Sequence, residues 1–263
     1  MNQCADKIYK KTRKIVPLFQ VFINLLNPKT WGVLIETFQV TNFDAPFTVS
    51  YGQAAEDICL DIVVKNLTIN RFGNRRNGFY LDIGAHDPNR FSVTRKLYDF
   101  GWNGINVDAN PRVCAKFQKY RPRDLFLNYA VGNQKFYDFI QFDEGAISTV
   151  NEAWASRYTQ EGNSIKQISQ ISGKSLRSIL DLKGVPRSVD LLNIDIEGAD
   201  EDALKSINFK TLPQERFPKW LLLETTPPIE KALHFGAVKY AVKFGYVPWL
   251  VLPMTTLLRA PRH

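Results

Sequence analysis

The sequence predicts an α/β fold in which a mostly parallel sheet of seven strands is covered by helices on both faces. Three observations predict it. Short apolar runs alternate with stretches whose apolar residues recur at helical spacing, the pattern of successive βαβ units. The last two apolar runs lie too close together for a crossover connection, so they must pair antiparallel. At 263 residues, 44% of them hydrophobic and 13% aromatic, the chain carries enough apolar surface for one large core.

Residues 1–48 read as a helical extension ahead of a domain over 49–263. Lys7, Lys10, Lys11, Arg13 and Lys14 crowd its start, and Val16, Leu18, Phe19, Phe22, Ile23, Leu25 and Leu26 follow. Pro17, Asn24, Asn27, Pro28, Lys29 and Glu36 interrupt this stretch before it reaches the roughly 20 apolar residues of a membrane span. It also lacks the compact apolar core and small-residue cleavage site of a secretory signal. The segment suits a helix packed on the main domain or on a second subunit in a homo-oligomer. Peripheral contact of residues 1–40 with an anionic membrane is the other reading.

The domain opens with a helix over Gln53–Leu67, where Ala54, Ile58, Ile62 and Val63 share one face. Strands follow at Phe79–Ile83, Gly104–Val107, Leu125–Asn128, Leu191–Ile194 and Trp220–Leu223, with Tyr246–Val251 and Thr255–Leu258 as the closing hairpin around Pro253. Helices fall between them at Ser92–Phe100, Pro111–Lys119, Asp200–Ile207 and Ile229–Phe244. Residues 136–177 break the alternation and read as an insertion with a strand at Phe136–Phe142 and a helix over Glu152–Ile171. Insertions on such scaffolds build the substrate side of a site.

Charge and cysteine usage narrow the classes of function. Lys and Arg number 34 against 26 Asp and Glu, a formal +8 that suits an acidic partner. The basic N-terminal cluster and the group Arg71, Arg75 and Arg76 hold one aromatic residue each, Tyr9 and Phe72, short of the interleaved rings of a base-stacking surface, which disfavours nucleic acid. Cys4, Cys59 and Cys114 are odd in number and far apart, without C-x-x-C, so neither a disulfide framework nor a zinc site is indicated, and a cytoplasmic location is expected.

The sharpest local feature is Tyr80-Leu81-Asp82-Ile83-Gly84-Ala85-His86-Asp87-Pro88, a buried-strand pattern running into a glycine turn. Glycine there lets backbone approach a ligand without a Cβ clash. Asp108 closes the next strand, where a Rossmann-like crevice places a carboxylate to accept both ribose hydroxyls. A nicotinamide enzyme needs G-x-G-x-x-G to bring a helix N-terminus onto a pyrophosphate, yet His86 and Pro88 occupy the later positions. A nucleoside ligand without a pyrophosphate relaxes that need, and S-adenosylmethionine is the common one.

Four blocks together resemble the FkbM-type S-adenosylmethionine-dependent methyltransferases. They are Ser50-Tyr51-Gly52-Gln53-Ala54-Ala55-Glu56-Asp57; Gly78-Phe79 running into the glycine turn; Tyr98-Asp99-Phe100-Gly101-Trp102-Asn103-Gly104-Ile105-Asn106-Val107-Asp108-Ala109-Asn110-Pro111; and Leu191-Leu192-Asn193-Ile194-Asp195-Ile196-Glu197-Gly198-Ala199-Asp200. The resemblance runs from about Ser50 to Glu224. It implies the class I methyltransferase form of the Rossmann-like fold, with S-adenosylmethionine as cofactor. It also implies that Asp82 and Gly84 shape the methionine end of the pocket and that Asp108 holds the ribose, with Ala85, His86 and Ala109 as further cofactor contacts. The run Asn128-Tyr129-Ala130-Val131-Gly132 would flank the adenine, and Gln53 and Glu56 would contact cofactor or acceptor. Two positions depart from the family's habit: Asp108 where Glu is frequent, and Asn193 where Lys is common.

Methyl transfer needs the acceptor aligned and, for a hydroxyl, its proton removed. Asp195, Glu197 and Glu224 end two strands and should converge on the crevice, as general base or as ligands for a divalent cation such as Mg. One of them could instead cap the helix at Asp200 or, as Asp195, bind the cofactor's amino group. His86 is a further candidate base. His234 reads only as a helix face. The place of the amine-gripping N/D-P-P-Y/F block is taken by Asp195-Ile196-Glu197-Gly198, and Pro227-Pro228 lacks a flanking aromatic, which points to oxygen rather than a base nitrogen.

The expected activity is O-methylation of a sugar, glycan or nucleotide-sugar precursor, the sugar class resting on the resemblance, with Trp154, Arg157, Tyr158 and Lys166 offering an aromatic face and donors. A membrane-proximal lipid-linked acceptor and a cofactor-binding but inactive interaction module are the competing readings.

Overall fold

The computed structural model describes residues 49–60, 77–225 and 229–261, all but Val49 within the unit Ser50–His263. The expected extension over 1–48, the later part of the Gln53–Leu67 helix and Pro227-Pro228 lie outside the described residues.

Along the chain run β1 (Phe79–Ile83), α1 (Arg95–Asp99), β2 (Asn103–Asp108), α2 (Cys114–Tyr120), β3 (Leu125–Asn128), β4 (Ala130–Val131), β5 (Phe136–Phe142), α3 (Glu152–Gln160), β6 (Ile165–Lys174) and α4 (Leu176–Leu180). They are followed by β7 (Leu191–Ile194), α5 (Asp200–Lys205), β8 (Trp220–Glu224), α6 (Gly236–Lys243), β9 (Val247–Val251) and β10 (Thr255–Arg259). The main sheet has seven strands in the order β3-β2-β1-β7-β8-β10-β9. β1, β2, β3, β7 and β8 are parallel, whereas β10 runs antiparallel to both β8 and β9. This is the class I methyltransferase arrangement. The reversed strand sits inside the sheet and the half-exposed β9 forms its edge, where Pro248 costs no ladder bond to a further strand.

The continuous apolar character of the central strands follows from packing on both faces. Leu81, Ile83, Leu192, Ile194, Leu221 and Leu223 join one core cluster with residues of α4, α5 and α6. Tyr80, Leu191, Trp220, Leu222 and Leu257 join the other with Leu97, Tyr98 and Trp102. Each fully buried side chain of this kind contributes about 1.5–3 kcal/mol.

The structure corrects several boundaries. Of the helix expected from Gln53, residues 56–60 are helical while 52–55 form a bend. Asp57 does not simply favour a helix dipole: its carboxylate accepts from Ser50 Oγ and from the Tyr51 and Gly52 amides. The helix expected from Ser92 begins only at Arg95, because Ser92 and Thr94 are engaged by the buried Arg121 side chain.

The helix expected over Glu152–Ile171 ends at Gln160, and Ile165–Lys174 is a strand paired antiparallel with β5. Gly162, at φ +90°, turns the chain out of the helix. Ile165, Ile168 and Ile171 recur every third residue and so imitate one helix face; in β6 the first two are instead largely exposed. β4, β6 and β5 make a second, three-stranded sheet. The helix expected over Ile229–Phe244 divides into a 3-10 turn over Ile229–His234 and α6, and His234 is exposed. α4 was not expected; Ser175 caps it, its Oγ accepting from the Ser178 amide.

Candidate active site

The parallel strands end on one side of the sheet, where the loops after β1, β2 and β7 meet. Gly84 follows β1 with φ +84°, and a Cβ placed on it would lie 1.8 Å from the Asp195 carbonyl oxygen. The loops after β1 and β7 therefore touch backbone to backbone, which no other residue permits. Val107 O accepts from the amides of both Gly84 and Ala85, and the Asp195 amide donates to Ile83 O. The floor of the crevice is thus tied together by main chain.

Asp108 closes β2 beside this turn. Its Oδ2 accepts from the His86 amide at 2.8 Å and its Oδ1 from the Asn110 amide at 2.7 Å. Burial outweighs these two bonds and raises its pKa to about 6. Each oxygen keeps a lone pair for a ligand hydroxyl.

The cleft above opens to solvent and is walled by the ends of the strands and by the insertion. Gly84, His86, Asp108, Ala109, Ala130, Asp195 and Glu197 line it, so the structure brings these expected residues together. Tyr129, from the run expected beside the adenine, lines it too.

Other expected contacts fall elsewhere. Asp82 is buried, its two oxygens accepting from Thr94 Oγ1 at 2.5 Å and Asn193 Nδ2 at 2.9 Å. Asn193, standing where the family commonly has Lys, is thus used to satisfy Asp82 rather than to meet a ligand. Asn128 Nδ2 donates to the carbonyls of Asp108 and Ala109, so it braces the end of β2 from behind. Ala85 is buried beneath the turn. Gln53 is exposed. Glu56 is buried, accepts from the Ala54 amide, and lies near enough to Asp195 to raise that residue's pKa.

The carboxylates of Asp195, Glu197 and Glu224 converge: one oxygen from each lies within 4.8 Å of the others. Burial, and then mutual repulsion, raises the pKa of Asp195 and of Glu224 well above the usual carboxylate range, and burial raises that of Glu197. Asp200, the first residue of α5, is pushed up to about 7 by burial while accepting from the Ile196 and Gly198 amides. It braces the acidic turn ahead of α5, whose own first turn carries no side-chain cap. The His86 ring is held below its ordinary pKa by burial, with an Arg90 nitrogen 3.4 Å away.

Glu197 sits at φ +54°, a left-handed conformation that costs a non-glycine residue on the order of 1–2 kcal/mol. The insertion holds it there. Thr149 Oγ1 donates to the Glu197 carbonyl at 2.8 Å, Asn151 Nδ2 to the Gly198 carbonyl at 2.8 Å, and the Tyr158 hydroxyl to the Glu197 carboxylate. Trp154 packs so closely over Gly198 that a Cβ there would lie 2.0 Å from its ring. Tyr158 and Trp154 therefore serve the acidic turn rather than standing free. Arg157 pairs with Glu161, and Lys166 is exposed on β6.

The insertion also supplies the far wall of the cleft through Phe139, Gly145, Ala146, Ser148, Thr149 and Val150. Sequence reasoning missed these residues. A strand phenylalanine and short loop side chains carry no chemical signature, and only the acidic residue before Gly145, a capping type, hinted at a turn.

A family model described as the methyltransferase FkbM domain matches residues 82–235. No curated protein matches the chain. Among solved structures, a TehB-like SAM-dependent methyltransferase from Corynebacterium glutamicum is similar at 10% identity and a TM-score of 0.41, over 88% of this chain and 95% of that one. A precorrin-6y C5,15-methyltransferase from Geobacter metallireducens is similar at 11% identity and a TM-score of 0.40, over 83% and 96%. Both likenesses are distant, and the fold assignment rests on the strand pairing. With the FkbM domain matched over more than half of its length, the chain belongs to that family and is an S-adenosylmethionine-dependent methyltransferase.

Proposed function

We propose that the protein methylates a hydroxyl group, on a sugar, glycan or nucleotide-sugar precursor. The observation that carries the oxygen acceptor is the convergence of Asp195, Glu197 and Glu224 beside the cofactor cleft. A hydroxyl must lose a proton as its oxygen is methylated, and carboxylates with raised pKa values are better proton acceptors than ordinary ones. The sugar class extends the family resemblance.

The residues at the cleft fit S-adenosylmethionine. Asp108 would accept the ribose hydroxyls, Gly84 would let the methionine portion approach the backbone, and Tyr129, Ala109 and Ala130 would flank the adenine. Bound there, the cofactor supplies an electrophilic methyl. The chain's own work is to align the acceptor oxygen with that methyl and to receive its proton. Glu197 is the best placed receiver, since it lines the cleft and the Tyr158 hydroxyl orients its carboxylate. His86, kept neutral by burial, is the second candidate.

The experiment is transfer of labelled methyl from S-adenosylmethionine to parallel panels of sugar hydroxyls, nucleotide sugars and amines. Label in an ether of a sugar, lost in Glu197→Gln, is the expected result. Label confined to amines would overturn the oxygen assignment.

The same three carboxylates are spaced to ligate a divalent cation. Loss of activity on chelation, restored by Mg, would assign them that role, and chelator-insensitive activity would remove it. Among the described residues no helix is long and apolar enough to cross a membrane. The lipid-linked reading depends on residues 1–40, outside the described residues, and predicts vesicle binding that is lost when they are deleted.

A further inference from the structure

We infer that Arg90 and Glu144 are cofactor-positioning residues, which hold the insertion's wall against the S-adenosylmethionine cleft. The inference rests on the assignment of that cleft to the cofactor. Glu144 begins the 3-10 turn Gly145–Ile147, and its Oε1 accepts from the Ala146 amide at 3.3 Å. Gly145 and Ala146 line the cleft. Arg90 lies on the opposite side, in the loop after β1. Its guanidinium grips Glu144 with both nitrogens, at 3.0 and 3.3 Å.

Arg90 is itself held in place. Its amide donates to Asp87 Oδ1 at 3.1 Å, Lys116 donates to Asp87 Oδ2 at 2.7 Å, and the guanidinium lies 4.1 Å from the centre of the Phe91 ring. A guanidinium nitrogen is also 3.4 Å from His86 Nε2, and the His86 amide donates to Asp108. One connected set of contacts therefore runs from the ribose-facing carboxylate, through His86 and Arg90, to the far wall. A Cβ on Gly145 would stand 3.6 Å from the His86 ring, so wall and turn are already in near contact.

Exposed ion pairs contribute little. This one is bidentate, and its side chains are 31% and 36% exposed, the geometry in which an arginine–carboxylate pair gains strength and direction. At its other end the wall is anchored by Thr149 and Asn151 on the Glu197 and Gly198 carbonyls. Arg90–Glu144 is the anchor nearer the ribose.

The test is acceptor-free: the affinity and dissociation rate of S-adenosylhomocysteine, by calorimetry and stopped flow, on full-length wild type, Glu144→Gln, Arg90→Met and the double variant. Glutamine keeps an oxygen for the Ala146 amide while losing the charge, so the turn should persist, and thermal unfolding checks that it folds. Each single variant is expected to release the ligand roughly three- to tenfold faster, with the double variant no worse than either. Raising the salt concentration should speed release from wild type but not from Glu144→Gln, a response that a merely structural loosening would not produce. Wild-type release rates in both single variants, or effects that multiply in the double variant, would overturn the inference. Failure of folded wild type to bind at all would instead overturn the cofactor assignment beneath it.

Discussion

The floor of the candidate cleft is made from the ends of buried parallel strands, whereas its far wall comes from an insertion whose own strand β6 is mostly exposed. On the floor, position is set by main-chain bonds and by a glycine with no room for a side chain. In the wall it is set by side chains: Glu144 to Arg90, Thr149 and Asn151 to two carbonyls, Tyr158 to Glu197. A floor of the first kind tolerates almost no change, because moving one loop moves the next. A wall of the second kind can be loosened one contact at a time.

The largest effect should come from the floor. Gly84→Ala places a Cβ against the Asp195 carbonyl at a positive φ, and a loss of about 3 kcal/mol or more is expected, from strain and overpacking together. Denaturant unfolding measures it, and a variant as stable as wild type would mean that the two loops can separate. Asp108→Ala, which leaves main chain intact, should weaken S-adenosylhomocysteine binding by roughly 1–3 kcal/mol. Its unfolding midpoint should change far less than that of Gly84→Ala.

The floor also predicts two opposite responses to pH. Asp108 near 6 and Asp200 near 7 lie above ordinary carboxylates, so these two groups hold more protons in the folded protein than in the unfolded chain between about pH 4 and 7. Their contribution to stability is therefore greatest at the acid end of that window and is lost as pH rises through the two folded values. Affinity for S-adenosylhomocysteine should move the other way, rising as Asp108 ionises through about pH 6 and becomes an acceptor for both ribose hydroxyls. Parallel trends in the two titrations would contradict the assignment of Asp108.

Changes in the wall should be smaller. Asn151 caps α3 through the Ala153 and Trp154 amides and also bonds Gly198 O, so Asn151→Ala should cost about 1–2 kcal/mol of stability. Tyr158→Phe keeps the ring contacts with Phe142 and Trp154 and removes only the bond to Glu197. A loss near 1 kcal/mol is expected in unfolding experiments, with S-adenosylhomocysteine affinity unchanged. A Tyr158→Phe variant that binds the product much more weakly would show that the acidic turn and the cofactor wall are not separable.

The division between floor and wall is also the division between what could and could not be read in the sequence. β1, β3 and β7 in the main sheet, and β5 in the insertion, have the bounds their apolar runs predict. Gly84 and Asp108 were legible as cleft-lining positions because a turn pressed against neighbouring backbone and a carboxylate closing a parallel strand each call for a particular residue type at a strand end. Asp82 looked equally diagnostic, yet it is buried against Thr94 and Asn193 and does not line the cleft, as Asp108 does. Sequence places a side chain at a strand end but does not say which partner reaches it first.

The insertion shows the opposite case. β6 carries isoleucines at helical spacing, and only its pairing with β5 makes it a strand, since ladder hydrogen bonds are long-range and periodicity is local. Gly145, Ala146 and Ser148 have no motif at all, and they belong to the cleft because the Arg90–Glu144 pair and the Thr149 and Asn151 bonds put them there. The sequence alone thus determined the seven strands of the main sheet and the places of the glycine turn and of the carboxylate that closes β2, which follow from burial and local backbone freedom. Tertiary structure decided which carboxylates meet, which are spent on neighbours and what covers the cleft, because those depend on contacts between residues far apart along the chain.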